Sequence, residues 1–294
     1  MNTHSTSLVT AATGRIGGRV ALALLDAGRP VRVVSRDRDA LGPLIRAGAE
    51  PAIGDLREPG FAERALDGIA TAFLVVRADR RERDFRGDFG RVGQRVADAM
   101  RSAGTRRAVF LSALGVRAEQ HRGLVLVHRD VELALGRVPG LEATFLRAPF
   151  FAENLLYFLD TMHARGGLYT PIDPDVEIDV ASTGDLAEIA ARLMADGAGP
   201  GPVEVRSAGL TMRGLADAIA AELGRAFPVG RTTRDADVER MVASGASYDF
   251  AHLMNDAWDT YSRGGRIGEV GAPGVTAGTS AARIAREIVA LGLR

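Results

Sequence analysis

Residues 8–36 carry the pattern that most narrows what this chain can become. They read Leu8-Val-Thr-Ala-Ala-Thr-Gly14-Arg-Ile-Gly17-Gly-Arg-Val20, then an amphipathic stretch, then Val31-Arg-Val-Val-Ser35-Arg36. A short apolar strand thus enters a tight glycine turn, a helix follows, and a second strand returns. Gly14 and Gly17 have no Cβ, so the turn can approach an anion and the helix can pack close to its strand. The unpaired N–H groups at the helix start, with the helix dipole behind them, face that anion. A lone glycine pattern is weak, but here every element stands in the order a dinucleotide needs. A close-packed turn without ligand would use the same glycines. Ala11 occupies the usual first glycine of the turn.

The alternation continues. Apolar runs predict strands at about 8–12, 31–35, 50–53, 70–76, 108–112 and 143–147. Helical periodicity lies between them, at about 16–27, 39–47, 60–66, 85–102 and 124–135. Such alternation predicts an α/β fold, a Rossmann-type doubly wound parallel sheet, with a smaller C-terminal α/β substrate lobe. The near-continuous apolar runs at 72–76 and 109–111 fit burial on both faces. After Arg147 aromatics cluster at Phe150, Phe151, Tyr157 and Phe158, and glycine turns become common. Ser182 and Asp185 predict a capped helix running to Met194, and further helices are expected at 211–223 and 249–261. Residues 197–202 and the glycine-rich stretch 264–279 read as loops. We expect a binding domain over 1–150 and a substrate lobe over 151–294, with about 176–206 returning to the core.

Composition removes several chemistries. All 37 basic residues are Arg, so no lysine can serve as Schiff base, general base or orienting ammonium. The absence of Cys excludes disulfides, thiolate nucleophiles and thiolate metal sites, and fits a reducing cytoplasm. The 37 acidic residues balance the 37 basic ones, which argues against nucleic acid or a membrane surface as partner. No apolar run has the length of a membrane span. His4, His121, His128, His163 and His252 show no metal-ligand spacing.

The strand ends supply further candidates. Ser35-Arg36 closes the second strand, where an acidic residue would bond a ribose 2′-hydroxyl and an Arg accommodates a 2′-phosphate. NADP(H) is therefore preferred to NAD(H); a solvated surface charge is the alternative for Arg36. Asp55 and Leu56 follow the third strand, where Asp55 either bonds an adenine amino group or closes a plain turn. Val75-Val76-Arg77 and Leu111-Ser112-Ala113 end the next two strands, where ligands bind in open α/β sheets. His128 lies on a helix, as a proton relay or as an ordinary half-buried histidine.

Taken together, Thr13-Gly14-Arg15-Ile16-Gly17, Arg36, Gly54-Asp55, Phe110-Leu-Ser112, His128-x-x-x-Glu132-x-x-Leu135, Thr144-x-Leu-Arg147 and Phe151-x-x-Asn154 resemble the NmrA-like atypical short-chain dehydrogenases. That family includes quinone oxidoreductase-like reductases and redox-sensing regulators. The resemblance runs from Leu8 to about Met194. It implies an NADP(H) site in which Thr13 to Gly17 hold the pyrophosphate, with Ala11 beside them among the cofactor-binding residues. Ser35 and Arg36 would take the 2′-phosphate, and Asp55 and Leu56 the adenine. Val75, Val76, Ser112 and Ala113 would line the ribose and nicotinamide. Phe150 and Phe151 would flank the nicotinamide, with Asn154 and Tyr157 facing the substrate. The Tyr-x-x-x-Lys pair of ordinary short-chain dehydrogenases is impossible here, and His128 is the nearest substitute for a proton-transferring lysine.

The expected activity is an NADPH-dependent transfer of hydride to a quinone, enone or related conjugated carbonyl. Such acceptors delocalise the incoming charge and need little acid assistance; Tyr157, Asn154 or water would suffice, with His128 as relay. The Ala, Gly and Arg bias suits a GC-rich producer of secondary metabolites. The aromatic cluster suits a flat substrate, unless it is lobe core. The alternative is a non-catalytic NADP(H) redox sensor acting through a protein partner. A homodimer is compatible with either.

Overall fold

The structure, a computed structural model, describes residues 5–117, 122–197, 199–264, 266, 268 and 271–293. His4 and His121 lie outside the described residues, as do 265, 267, 269 and 270 of the glycine-rich stretch. The first half runs β1 (Ser7–Val9), α1 (Arg15–Asp26), β2 (Val31–Ser35), a 3-10 turn (Asp39–Leu41), α2 (Gly42–Arg46), β3 (Glu50–Ile53) and α3 (Phe61–Leu66). It continues through β4 (Thr71–Leu74), α4 (Phe85–Ala103), β5 (Arg107–Ala113), α5 (Val125–Gly136) and β6 (Glu142–Ala148). The second half holds β7 (Phe150–Phe151), a 3-10 helix (Ala152–Phe158), α6 (Leu159–Arg165), β8 (Leu168–Thr170), β9 (Val180–Ala181), α7 (Thr183–Asp196) and β10 (Gly201–Arg206). It ends with α8 (Met212–Leu223), β11 (Val229–Arg231), α9 (Arg234–Ala243), α10 (Tyr248–Gly264), β12 (Gly274–Thr276) and α11 (Ala281–Gly292).

Eight strands form one sheet in the order β12-β10-β6-β5-β4-β1-β2-β3. All its pairings are parallel. Side chains alternate between the two faces along the central strands, and both faces are buried. Ala72, Leu74, Ala108 and Phe110 pack with the α3, α4 and α5 side chains Phe61, Phe89, Val92 and Val131. Phe73, Val109 and Leu111 pack on the opposite face with Ile16 and Val20 of α1 and Leu186 and Ile189 of α7. The chain is doubly wound. β1 lies between β2 and β4, so the chain reverses direction across the sheet at β1, and the carboxyl ends of β1 and β4 frame a crevice.

Local chemistry sets the helix ends. The Asp84 carboxylate accepts from the Gly87 N–H at the start of α4, and Gly104 ends that helix in the left-handed region. Ser182 caps α7 by accepting from the Asp185 N–H, as the sequence predicts.

The stretches read as loops hold two strands. β10 includes part of 197–202 and pairs with β6. β12 lies inside 264–279 and pairs with β10 at the sheet edge. Each begins at a Gly inside a glycine-rich stretch, and non-local pairing makes them strands. Two further strand pairs, β8 with β11 and β7 with β9, lie outside this sheet. No helix among the described residues is long and apolar enough to cross a membrane.

Candidate active site

Thr10 ties the first two walls of the crevice together. Wholly buried, it accepts from the Val75 N–H at 2.7 Å and its hydroxyl donates to the Val75 carbonyl at 3.1 Å. The chain then turns at Ala11, which adopts φ +48°, a left-handed conformation that costs a residue with a Cβ. The Gly14 N–H donates to the Ala11 carbonyl at 2.9 Å and closes the turn. A Cβ on Gly17 would lie 2.5 Å from the Ala11 oxygen and 2.8 Å from the Thr10 oxygen, so only glycine lets α1 start this close to β1. Gly14 caps α1 with no side-chain bond, and no acidic residue stands in its first turn. The first N–H groups of α1 therefore have no side chain answering them, which is the geometry that receives an anion. This cradle fits a dinucleotide pyrophosphate.

A cleft of about 620 Å³ opens above the turn. It is lined by Ala11, Thr13, Gly14, Arg15, Ile16 and Gly17 on one side, by Val75, Arg77 and Leu111 at the ends of β4 and β5, and by Phe151, Glu153, Asn154, Leu156, Tyr157 and Thr183 opposite. Ten residues singled out in the sequence thus meet in one place: the six of the turn, Val75, Phe151, Asn154 and Tyr157. Arg77, Leu111, Glu153, Leu156 and Thr183 join them unannounced, except that Arg77 and Leu111 sit at the strand ends where ligands bind. The Glu153 carboxylate accepts from the Thr183 N–H at 3.0 Å and 3.1 Å and from the Thr183 hydroxyl, pinning the lobe to the start of α7.

Ser35, Arg36, Asp55 and Leu56 stand apart from the cleft walls, at the ends of β2 and β3. The Ser35 hydroxyl accepts from the Asp37 N–H. Asp37 itself accepts from the N–H groups of Asp39 and Ala40, so it turns into its own loop. Arg36 is exposed, with Nη1 3.6 Å from Asp55 Oδ2. Asp55 also receives the backbone N–H and the guanidinium of Arg57. Burial pushes the Asp55 carboxyl up, but the bonds and charge of Arg57 outweigh it and hold the group below the usual carboxylate range.

Five candidates do not line the cleft. His128 lies between Phe89 and Phe110, with ring centroids at 5.3 Å and 6.0 Å, behind the wall that Leu111 presents to the cleft. Its Nδ1 is out of solvent and has no hydrogen-bond partner among the described residues, and burial lowers the ring to about 4 against a bond to the Leu111 backbone. His128 is buried away from the residues that line the cleft. Ser112 is buried and donates to Glu132 Oε1 at 2.6 Å. Phe150 packs into the lobe core against Trp258 and Tyr261, at 5.7 Å and 5.9 Å, while Phe151 takes the cleft side. Val76 is buried in the core, and Ala113 pairs with Ala148 inside the sheet without lining the cleft.

Ser112 opens a buried ionic chain beneath the site. Glu132 takes two bonds from Arg147, at 3.1 Å and 3.0 Å. Arg147 also lies 3.6 Å from Glu204, which accepts from Arg206 at 2.6 Å. Arg206 reaches Asp179, and Asp179 accepts from Arg266 at 3.0 Å. Glu132, Arg147, Glu204 and Asp179 are almost completely buried, so each charge depends on its neighbours.

The profile of the NmrA-like family matches residues 3–254. An NAD(P)H azoreductase of Xenophilus azovorans is 25% identical over 85% of each chain. A (4-alkanoyl-5-oxo-2,5-dihydrofuran-3-yl)methyl phosphate reductase of Streptomyces griseus subsp. griseus is 30% identical over 62% of this chain and 61% of its own. Among solved structures, an NADPH-dependent quinone oxidoreductase of Escherichia coli complexed with NADPH superposes with a TM-score of 0.79 at 20% identity, covering 96% of this chain and 99% of that one. With the cradle, the crevice and the profile in agreement, this chain belongs to the NmrA-like family.

Proposed function

We propose that this chain is an NADPH-dependent reductase acting on a quinone or a related conjugated acceptor. The observation that carries the reading is the cleft itself: it is lined by an unanswered helix N-terminus and by the apolar and aromatic side chains Leu111, Phe151, Leu156 and Tyr157. NADPH, when bound, supplies a hydride, and one proton from the surroundings completes a two-electron reduction. The turn from Ala11 to Gly17 grips the anionic middle of the cofactor. Arg36, exposed at the end of β2 while Asp37 is engaged elsewhere, favours a 2′-phosphate over a bare ribose. Asn154 and Tyr157 would hydrogen-bond the acceptor oxygen, and the Tyr157 hydroxyl or water would deliver the proton. Phe151 and Leu156 would exclude water from the acceptor face. The similarity to an azoreductase, a dihydrofuranyl phosphate reductase and a quinone oxidoreductase supports the reading, because each is a reductase or oxidoreductase.

The test is a titration of the protein with NADPH and NADH, followed by NADPH consumption with a panel of quinones and enones. Tighter binding of NADPH with turnover of at least one acceptor is the expected result. Tight binding with no turnover on any of them, and an affinity for a partner protein that changes with cofactor, would replace the enzyme with a sensor.

A further inference from the structure

The charges that line the cleft are unequal. Its one carboxylate, Glu153, is engaged by the N–H and hydroxyl of Thr183. Its two guanidinium groups, Arg15 and Arg77, make no hydrogen bond or ion pair among the described residues. Nearby arginines behave differently: Arg36 and Arg57 face Asp55, Arg81 grips Asp79, and Arg86 grips Asp130. An unpaired Arg at the mouth of a cleft is a ready anion receptor, because its planar fork matches a carboxylate, sulfonate or phosphate.

The two arginines stand on opposite sides of β1. Arg15 opens α1 beside the turn, so its charge adds to the helix N-terminus at the pyrophosphate. Arg77 follows β4, which lies on the side of β1 away from β2 and β3. It therefore stands between the turn and Leu111, in the cleft that Phe151 and Leu156 also line. The nicotinamide half of the cofactor offers no anion beyond the pyrophosphate. We propose that Arg77 anchors the acceptor, and that the preferred acceptor is a planar conjugated compound bearing an anionic substituent. Arg77 supplies the charged contact, and Phe151, Leu156 and Tyr157 supply the apolar surface for the ring. This rests on the reductase reading and narrows its substrate class.

The experiment uses the full chain with NADPH and two acceptors, a naphthoquinone and the same ring carrying a sulfonate remote from the quinone. We expect kcat/KM to favour the sulfonate by about tenfold or more, the range of a hydrogen bond to a charged group. Arg77→Gln brings that ratio close to one, Arg77→Lys keeps part of it, and added salt reduces it in the wild type only. A wild-type ratio of one or below overturns the proposal. So does an Arg77→Gln variant that weakens NADPH binding and lowers turnover of both acceptors by the same factor, which would assign Arg77 to the pyrophosphate. If neither quinone is reduced, the reductase reading fails separately, and calorimetry of naphthalenesulfonate binding to the NADP⁺-loaded protein decides the anion site. Binding that Arg77→Gln abolishes sustains it; equal binding by wild type and variant overturns it.

Discussion

A Cβ placed on Gly17 would fall 2.5 Å from the carbonyl oxygen of Ala11, a backbone atom that cannot swing away as a side chain can. The start of α1 and the end of β1 are thus in contact through the one residue type that permits it, and the cofactor cradle depends on that contact. Gly17→Ala should force the turn open, destabilising the protein by about 1–3 kcal/mol. It should also weaken NADPH binding about tenfold or more, through the displaced N–H groups. Chemical unfolding and fluorescence titration read the two effects separately.

Ala11 makes the opposite prediction. Its φ of +48° is left-handed, where the Cβ crowds the backbone. Ala11→Gly removes that crowding at the cost of a more flexible unfolded chain. The net effect should be a stabilisation of about 0.5–1 kcal/mol in urea unfolding. A loss of stability would mean that the Ala11 methyl makes packing contacts worth more than the relief.

The His128 environment sets a pH dependence of stability. Its ring sits at about 4 in the folded protein against an ordinary value of 6.5. Below about 6.5 the unfolded chain takes up a proton that the folded chain refuses until about 4. Stability from this residue is therefore full above the unfolded value and falls as the pH drops toward the folded one, by up to about 3 kcal/mol. His128→Phe should remove this slope in urea unfolding measured between those limits. It should leave the pH profile of turnover in place, because His128 does not line the cleft.

Arg147 holds two buried carboxylates, Glu132 and Glu204. Arg147→Met would leave them without their shared partner near the carboxyl end of β6, and should cost about 3–5 kcal/mol. Arg213, whose bond to Asp175 is fully exposed, is the contrast: Arg213→Met should hardly move the denaturation midpoint.

Arg36→Ala should raise the dissociation constant of NADPH about tenfold and leave that of NADH nearly unchanged. The ratio of the two constants is the readout. Loss of both cofactors to the same degree would show that the variant had disturbed the Asp55 loop, which Arg36 touches, and had not removed a phosphate contact.

Much of this architecture is legible in the order of the amino acids. The strands β2 and β3 fall where the apolar runs place them, and the long α4 begins at Phe85 as its periodicity indicates. The turn from Ala11 to Gly17 is readable because glycine sterics and helix capping act within a few residues. The strands β10 and β12 are not readable, because their strand character comes from pairing with β6 and with each other.

The site divides in the same way. Phe150 and Phe151 are neighbours of one type, and nothing in their order says which will face a ligand. On an extended segment adjacent side chains point to opposite sides, and the lobe core around Trp258 claims Phe150. Ser112 stands at a strand end that suits ligand binding, and His128 on a helix that suits a proton relay; in the structure Ser112 donates to Glu132 and His128 packs against Phe89 and Phe110. The sequence alone determined the parallel doubly wound sheet and the anion-receiving turn, since periodicity and glycine sterics are local. Only the tertiary structure decided which side chains line the cleft and which of its charges remain unpaired, since burial and ion pairing join residues far apart in the chain.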